Sequence, residues 1–177
     1  MPATKSSKHI EWCLKKAQKE VDECNRVGKK PKHRGLVRVE PSAKIAKQHI
    51  DKAIHDLNAV VSNKENGYYD WCINIGFYSL YHCFLAIAQK FGYESGNQTC
   101  TIALIEWLKE EGKIDIEQKY IDLLKYKGEE KNNEDNIIDM REEYTYSIKI
   151  SVEEQKINEL IENCKELIDI TKNIVLN

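Results

Sequence analysis

The densest group of side chains able to do chemistry is Lys29-Lys30-Pro31-Lys32-His33-Arg34-Gly35-Leu36-Val37-Arg38-Val39-Glu40-Pro41, which carries five positive charges ahead of its first acid. Clustered cations release counterions when they line a phosphate backbone, so Lys29, Lys30, Lys32, His33, Arg34 and Arg38 are candidate RNA contacts. A solvated basic connector is the other reading, because no aromatic residues interleave with these cations to stack on bases. His82 is the second candidate: it is the one histidine of a long apolar segment, and imidazole exchanges protons near neutrality. A core histidine hydrogen-bonded to a neighbour fits the same pattern. Tyr78, one turn earlier on that face, is expected to pack its ring and tether its hydroxyl. Cys13, Cys24, Cys72, Cys83, Cys100 and Cys164 lie far apart without a Cys-x-x-Cys pair. They read as reduced, packed thiols, with no disulfide framework, no metal site and no cofactor.

The elements that position these residues are helices. A 177-residue chain fits one domain, and eight Gly with three Pro are too few for the frequent turns of a sandwich. The fold class is therefore all-α. A formal net charge of −2 leaves any nucleic-acid contact to local patches. The polar start, Met1 to Lys8, lacks the apolar stretch of a secretory leader, so a cytoplasmic protein with no membrane partner is expected. Ile10, Cys13, Ala17, Val21 and Cys24 make the stripe of a first helix that Gly28 ends. Ser42 caps a second, with Ala46, Ile50, Ala53, Leu57 and Val60 inward and Asn66-Gly67 as its break. The third, about Tyr68 to Phe91, is apolar nearly all round, which makes it the central helix rather than a membrane span. Its small residues Cys72, Gly76, Ser79, Cys83 and Ala86 call for a closely packed partner. After a turn from Gly92 to Gln98, Thr99 caps a fourth helix that Gly112 ends. Asp115 and Gln118 box a fifth containing Tyr120, Ile121, Leu124 and Tyr126. Gly128 to Asn136 reads as a loop or weak junction, helix resumes near Ile137, and Ser151 with Glu154 boxes the last helix.

Gly76-Phe77-Tyr78-Ser79-Leu80-Tyr81-His82-Cys83 resembles the Tyr-rich YYA-x-F-H core helix of HEPN proteins, small prokaryotic helical domains often paired with minimal nucleotidyltransferases. Ala46 to Leu57 stands in place of that family's first core helix. Arg141-Glu142-Glu143-Tyr144-Thr145-Tyr146 stands where the family carries an Arg-x-x-x-x-Tyr or Arg-x-x-x-x-His element. Ser151-Val152-Glu153-Glu154 opens the closing helix much as the family's VSxEEA does. The resemblance implies an antiparallel HEPN-like helical bundle of four to five core helices over residues 42–177. Residues 1–41 then form an additional N-terminal helix and basic connector.

In function, the resemblance implies a homodimer that binds RNA or a nucleotide, and a metal-independent ribonuclease of toxin–antitoxin or defence type. A noncatalytic interaction module, an antitoxin-like partner of a minimal nucleotidyltransferase, is the alternative. Metal-free cleavage needs a base for the 2′-hydroxyl and a cation for the charged phosphorane. Arg141 is then the phosphate-binding residue, Tyr146 occupies the histidine position, and His82 serves as base if its ring meets Arg141. A phenol, with an unperturbed pKa of about 10, is a poor base at neutral pH. Arg141 lies in a window from Glu129 to Glu143 whose seven acids face two bases, Lys131 and Arg141. Either a phosphate or Glu142 or Glu143 can claim its guanidinium.

Overall fold

A computed structural model describes residues 4–125 and 137–177 of the chain; the expected loop at Gly128 to Asn136 and Tyr126 of the fifth helix lie outside them. Helix α1 (Lys5–Arg26) starts where the Thr4 hydroxyl accepts the Ser7 N–H, and it stops before Gly28, whose φ of 66° suits glycine. Helix α2 (Ala43–Glu65) starts on Ser42, whose hydroxyl accepts the Ile45 N–H, and ends at Asn66 and a left-handed Gly67. Then follow α3 (Tyr69–Lys90), α4 (Gln98–Glu110), α5 (Gln118–Leu124), α6 (Ile137–Tyr146) and α7 (Glu154–Leu176). The protein is an all-α bundle, as its periodicity and scarce turn residues predict.

Helix α3 is its axis: α2, α7, α6 and α4 all pack against it, and α2 and α7 also touch each other. Among the described residues α3 is the one helix long and apolar enough to cross a membrane, and most of it is buried inside the bundle. The small-residue stripe explains how neighbours come so close. Ser79 Oγ donates to the Ala53 carbonyl of α2 at 2.9 Å, and Cys72 Sγ to the Val60 carbonyl at 3.4 Å. On the α7 side a Cβ on Gly76 would strike the Leu160 side chain. Any larger residue there overpacks the seam.

Four expectations need correction. Asn97, not Thr99, caps α4: its Oδ1 accepts the Cys100 N–H at 3.0 Å from an extended backbone, so Thr99 is already helical. The chain stays extended through Glu117 and through Glu153, so neither Asp115 nor Ser151 caps a helix. The connector and the turn after α3 are not plain loops. Leu36–Arg38 (β1) and Tyr93–Ser95 (β2) pair antiparallel, with Leu36 opposite Ser95, and Leu36 is fully buried. Finally, Cys13 and Cys100 form a disulfide, their Cα atoms 5.9 Å apart where α1 lies on α4. Cys72, Cys83 and Cys164 are the packed thiols expected, and burial pushes them to about 11, 12 and 12. The disulfide removes the support that cysteine usage lent to a cytoplasmic location.

Candidate functional site

Arg141 lies on α6, one turn before the end of that helix, on the side that crosses α3. Its guanidinium sits over the Phe77 ring, 4.3 Å from the centroid. Phe77 is buried, Tyr81 stacks on it at 5.9 Å, and Tyr78 meets it edge-on at 5.2 Å. Thr145 Oγ1 donates to Asn74 Oδ1 at 2.7 Å and fixes the crossing one turn further on. Among the described residues no carboxylate lies within ion-pair distance of Arg141, and the nearby Glu143 is engaged by Lys149. A guanidinium held over a ring by its charge still has N–H donors to offer, and such a fork matches a carboxylate or phosphate. Tyr146 ends the helix 86% exposed, and Tyr78 is 48% exposed.

His82 does not join this group. Five residues separate it from Phe77, which is roughly 140° around a helix, so it faces α2 instead. There its Nδ1 lies 3.0 Å from Nδ1 of His49, with the rings stacked at 5.2 Å. Such a contact needs one ring as donor and the other as acceptor, which two neutral imidazoles supply and two imidazolium ions do not. Burial, helped by the neighbouring His82, lowers His49 to about 4. Burial also lowers His82, against the raising influence of buried Asp56, which Lys52 contacts. Both histidines gain protons more readily unfolded than folded; the contribution of His49 is complete above about pH 6.5 and fades as pH falls towards 4, and that of His82 is lost in the same direction. Discounted for the exposed part of the ring, His49 is worth roughly 1–2 kcal/mol. Urea unfolding from pH 7 to pH 5 should show this loss, and His49→Gln should flatten it; an equally steep variant would refute the assignment.

The basic connector lies at the other end of α3. Phe77 and Lys90 are about 20 Å apart along the helix by its rise. The β1–β2 pair follows Lys90, so folding does not merge the connector with Arg141. Lys29, Lys30 and Lys32 are exposed and line a groove of about 870 Å³ with Arg26 and Cys24. The other three connector candidates are partly committed. Arg34 pairs with Glu20 at 3.7 Å, His33 Nε2 faces Glu94 at 3.4 Å, and Arg38 lies over the Tyr93 ring at 5.4 Å. Among the described residues no three His, Cys, Asp or Glu side chains gather as a metal site requires. The sequence reading missed Phe77 as the shelf for Arg141, which depends on helices far apart in the chain, and His49 as the partner of His82, which depends on how the consecutive helices α2 and α3 pack.

A small all-α bundle whose central aromatic helix carries an arginine from a later helix defines the class. The sequence profile of the HEPN domain matches residues 46–174, and the chain belongs to the HEPN family. The match leaves α1 and the connector outside it. Membership ties the protein to RNA-related or nucleotide-binding function. No curated protein is significantly similar to it in sequence.

Proposed function

We propose that this HEPN protein binds RNA and holds a phosphate through Arg141, as a binding protein rather than a nuclease. The observation that carries the reading is the guanidinium itself, stacked 4.3 Å over Phe77 and left without a carboxylate partner among the described residues. An aromatic shelf holds the charge in place without neutralising it. Cleavage would also need a base beside that cation, but Tyr146 is a phenol and His82 is turned to His49. RNA binding by filter retention, with cleavage followed in the presence of a chelator, tests both halves. Arg141→Ala should weaken binding about tenfold, the worth of one charge-assisted contact. Unchanged affinity would refute the role of Arg141.

The protein acts as a homodimer in this proposal. Trp71 and Tyr78 stand exposed on α3 with Ile75 half-buried between them, and Tyr78 meets edge-on the Phe77 ring that carries Arg141. Pairing two copies along that face would set two Arg141 sites near one another. The same face favours a second reading, an interaction module that covers it with a minimal nucleotidyltransferase.

A further inference from the structure

The charge of this chain is sharply divided. Residues 1–41 hold eleven Lys and Arg against five Asp and Glu, whereas residues 42–177 hold sixteen against twenty-four. The basic part is also the part outside the HEPN match. Its apolar side is already used, because Ile10, Cys13 and Ala17 of α1 are buried against the bundle and Cys13 is bonded to Cys100. The opposite side therefore faces solvent on a firmly held helix.

Trp12 stands at the middle of that outer side, 54% exposed. Lys8, Lys15, Lys16 and Lys19 fall at i−4, i+3, i+4 and i+7 from it, on the same face by helical spacing. The indole is braced by its neighbours one turn away, His9 at 5.9 Å and tilted by 56°, and Lys16 with Nζ 5.0 Å from the ring. Lys15 makes an exposed 3.8 Å contact with Glu11, while Lys8, Lys16 and Lys19 have no carboxylate within ion-pair distance among the described residues. From Lys8 to Arg26 the row runs about 27 Å along the helix, with Asp22 and Glu23 in its last turns, and ends at the groove that Lys29, Lys30 and Lys32 line together with Glu20, Glu23 and Glu94. The aromatic surface that the connector lacks is thus supplied by α1.

We infer that the outer face of α1 is a platform for single-stranded RNA, with an unpaired base stacked on Trp12 and flanking phosphates on Lys8, Lys16 and Lys19. The inference rests on the RNA-binding reading above and assigns it a second site, distant from Arg141. An exposed indole in one row with cations that pair with no carboxylate is what a single strand uses, since stacking needs a bare base face and a duplex hides its faces. A membrane surface fits less well: one ring among lysines gives the outer face no apolar strip to bury.

The test uses the oxidised 177-residue protein and fluorescence anisotropy of a labelled short oligouridylate, free and annealed to oligoadenylate. The single strand should bind at least about tenfold more tightly than the duplex, and Trp12→Ala should lose about tenfold of that affinity. Trp12→Phe, which keeps a ring, should bind nearly as wild type. Replacing Lys8, Lys16 and Lys19 with Gln should reduce the slope of log affinity against log salt by about 2. Circular dichroism confirms that these surface variants fold. Equal binding of strand and duplex, or an unaffected Trp12→Ala, overturns the inference. If Trp12→Ala binds as wild type while Arg141→Ala does not, the platform falls and the Arg141 reading stands. If wild type binds no RNA, both fall. A dimer that dissociates in the lysine variant, with no single-strand preference, would instead assign the face to the acidic surface of a second copy.

Discussion

Breaking the Cys13–Cys100 disulfide is expected to lower the unfolding free energy by about 4 kcal/mol, because it joins residues 87 apart and so closes a long loop in the unfolded chain. For a chain of this size that corresponds to a fall in Tm of roughly 10 °C. Both cysteines are fully buried at the α1–α4 contact, so a pair of serines would also put two hydroxyls in an apolar seam. Reductant is therefore the cleaner probe, with Cys13→Ala/Cys100→Ala as its genetic counterpart. The remaining ties of α1 are few: Ser6 bonds to Glu110, Gly35 packs against the Cys13 carbonyl and Ala17, and the inner apolar stripe stays in place. Amide exchange should thus rise first along α1 and β1 and only later in α2, α3 and α7. Thiol titration of the denatured protein should find four free groups before reduction and six after. Six before reduction would sink the assignment, and with it the rigid mounting of Trp12.

The parts of the fold legible in the sequence are those set by local periodicity. The stripes of α1, α2 and α7 are visible because burying one side of a helix demands apolar residues every three or four positions. The small residues of α3 likewise announced close neighbours, and Ser79 and Gly76 meet them in α2 and α7. What escaped depends on contacts between distant segments. Three-residue strands such as Leu36–Arg38 and Tyr93–Ser95 carry no period of their own, and only their pairing makes them strands. The disulfide is equally silent in a chain where both cysteines sit in ordinary helical stripes. The Ser42 cap held, but three others failed for a different reason: Thr99, Asp115 and Ser151 have the right chemistry, but the preceding backbone decides which residue stands at the boundary. The candidate site divides in the same way. Arg141, Tyr146 and Tyr78 were marked by the family resemblance, yet the contact that Arg141 makes, with Phe77 sixty-four positions earlier, is one that only the packing of distant segments creates.

Tyr146→His is expected to raise metal-independent RNA cleavage by about a hundredfold over wild type, at the low end of what a placed general base contributes. Helix α6 has a cation on an aromatic shelf and, five residues on, an exposed hydroxyl at its end, and it carries no histidine. The substitution supplies one at the position where the HEPN resemblance places histidine, five residues after Arg141. Because Tyr146 is 86% exposed, the exchange disturbs little packing and should leave stability within about 0.5 kcal/mol. An exposed imidazole titrates near its unperturbed pKa of about 6.5, so cleavage should rise with pH from 5.5 to 7.5 and then level off. Arg141→Ala in the same background should abolish the gain, since the base alone leaves the phosphorane charge unsupported. His49→Gln in that background should leave it intact, because the His49–His82 pair lies on the α2 side of α3. Should the Tyr146 variant bind RNA as tightly as wild type yet never cut it, Arg141 and position 146 do not share a scissile phosphate, and Arg141 grips its ligand in some other register.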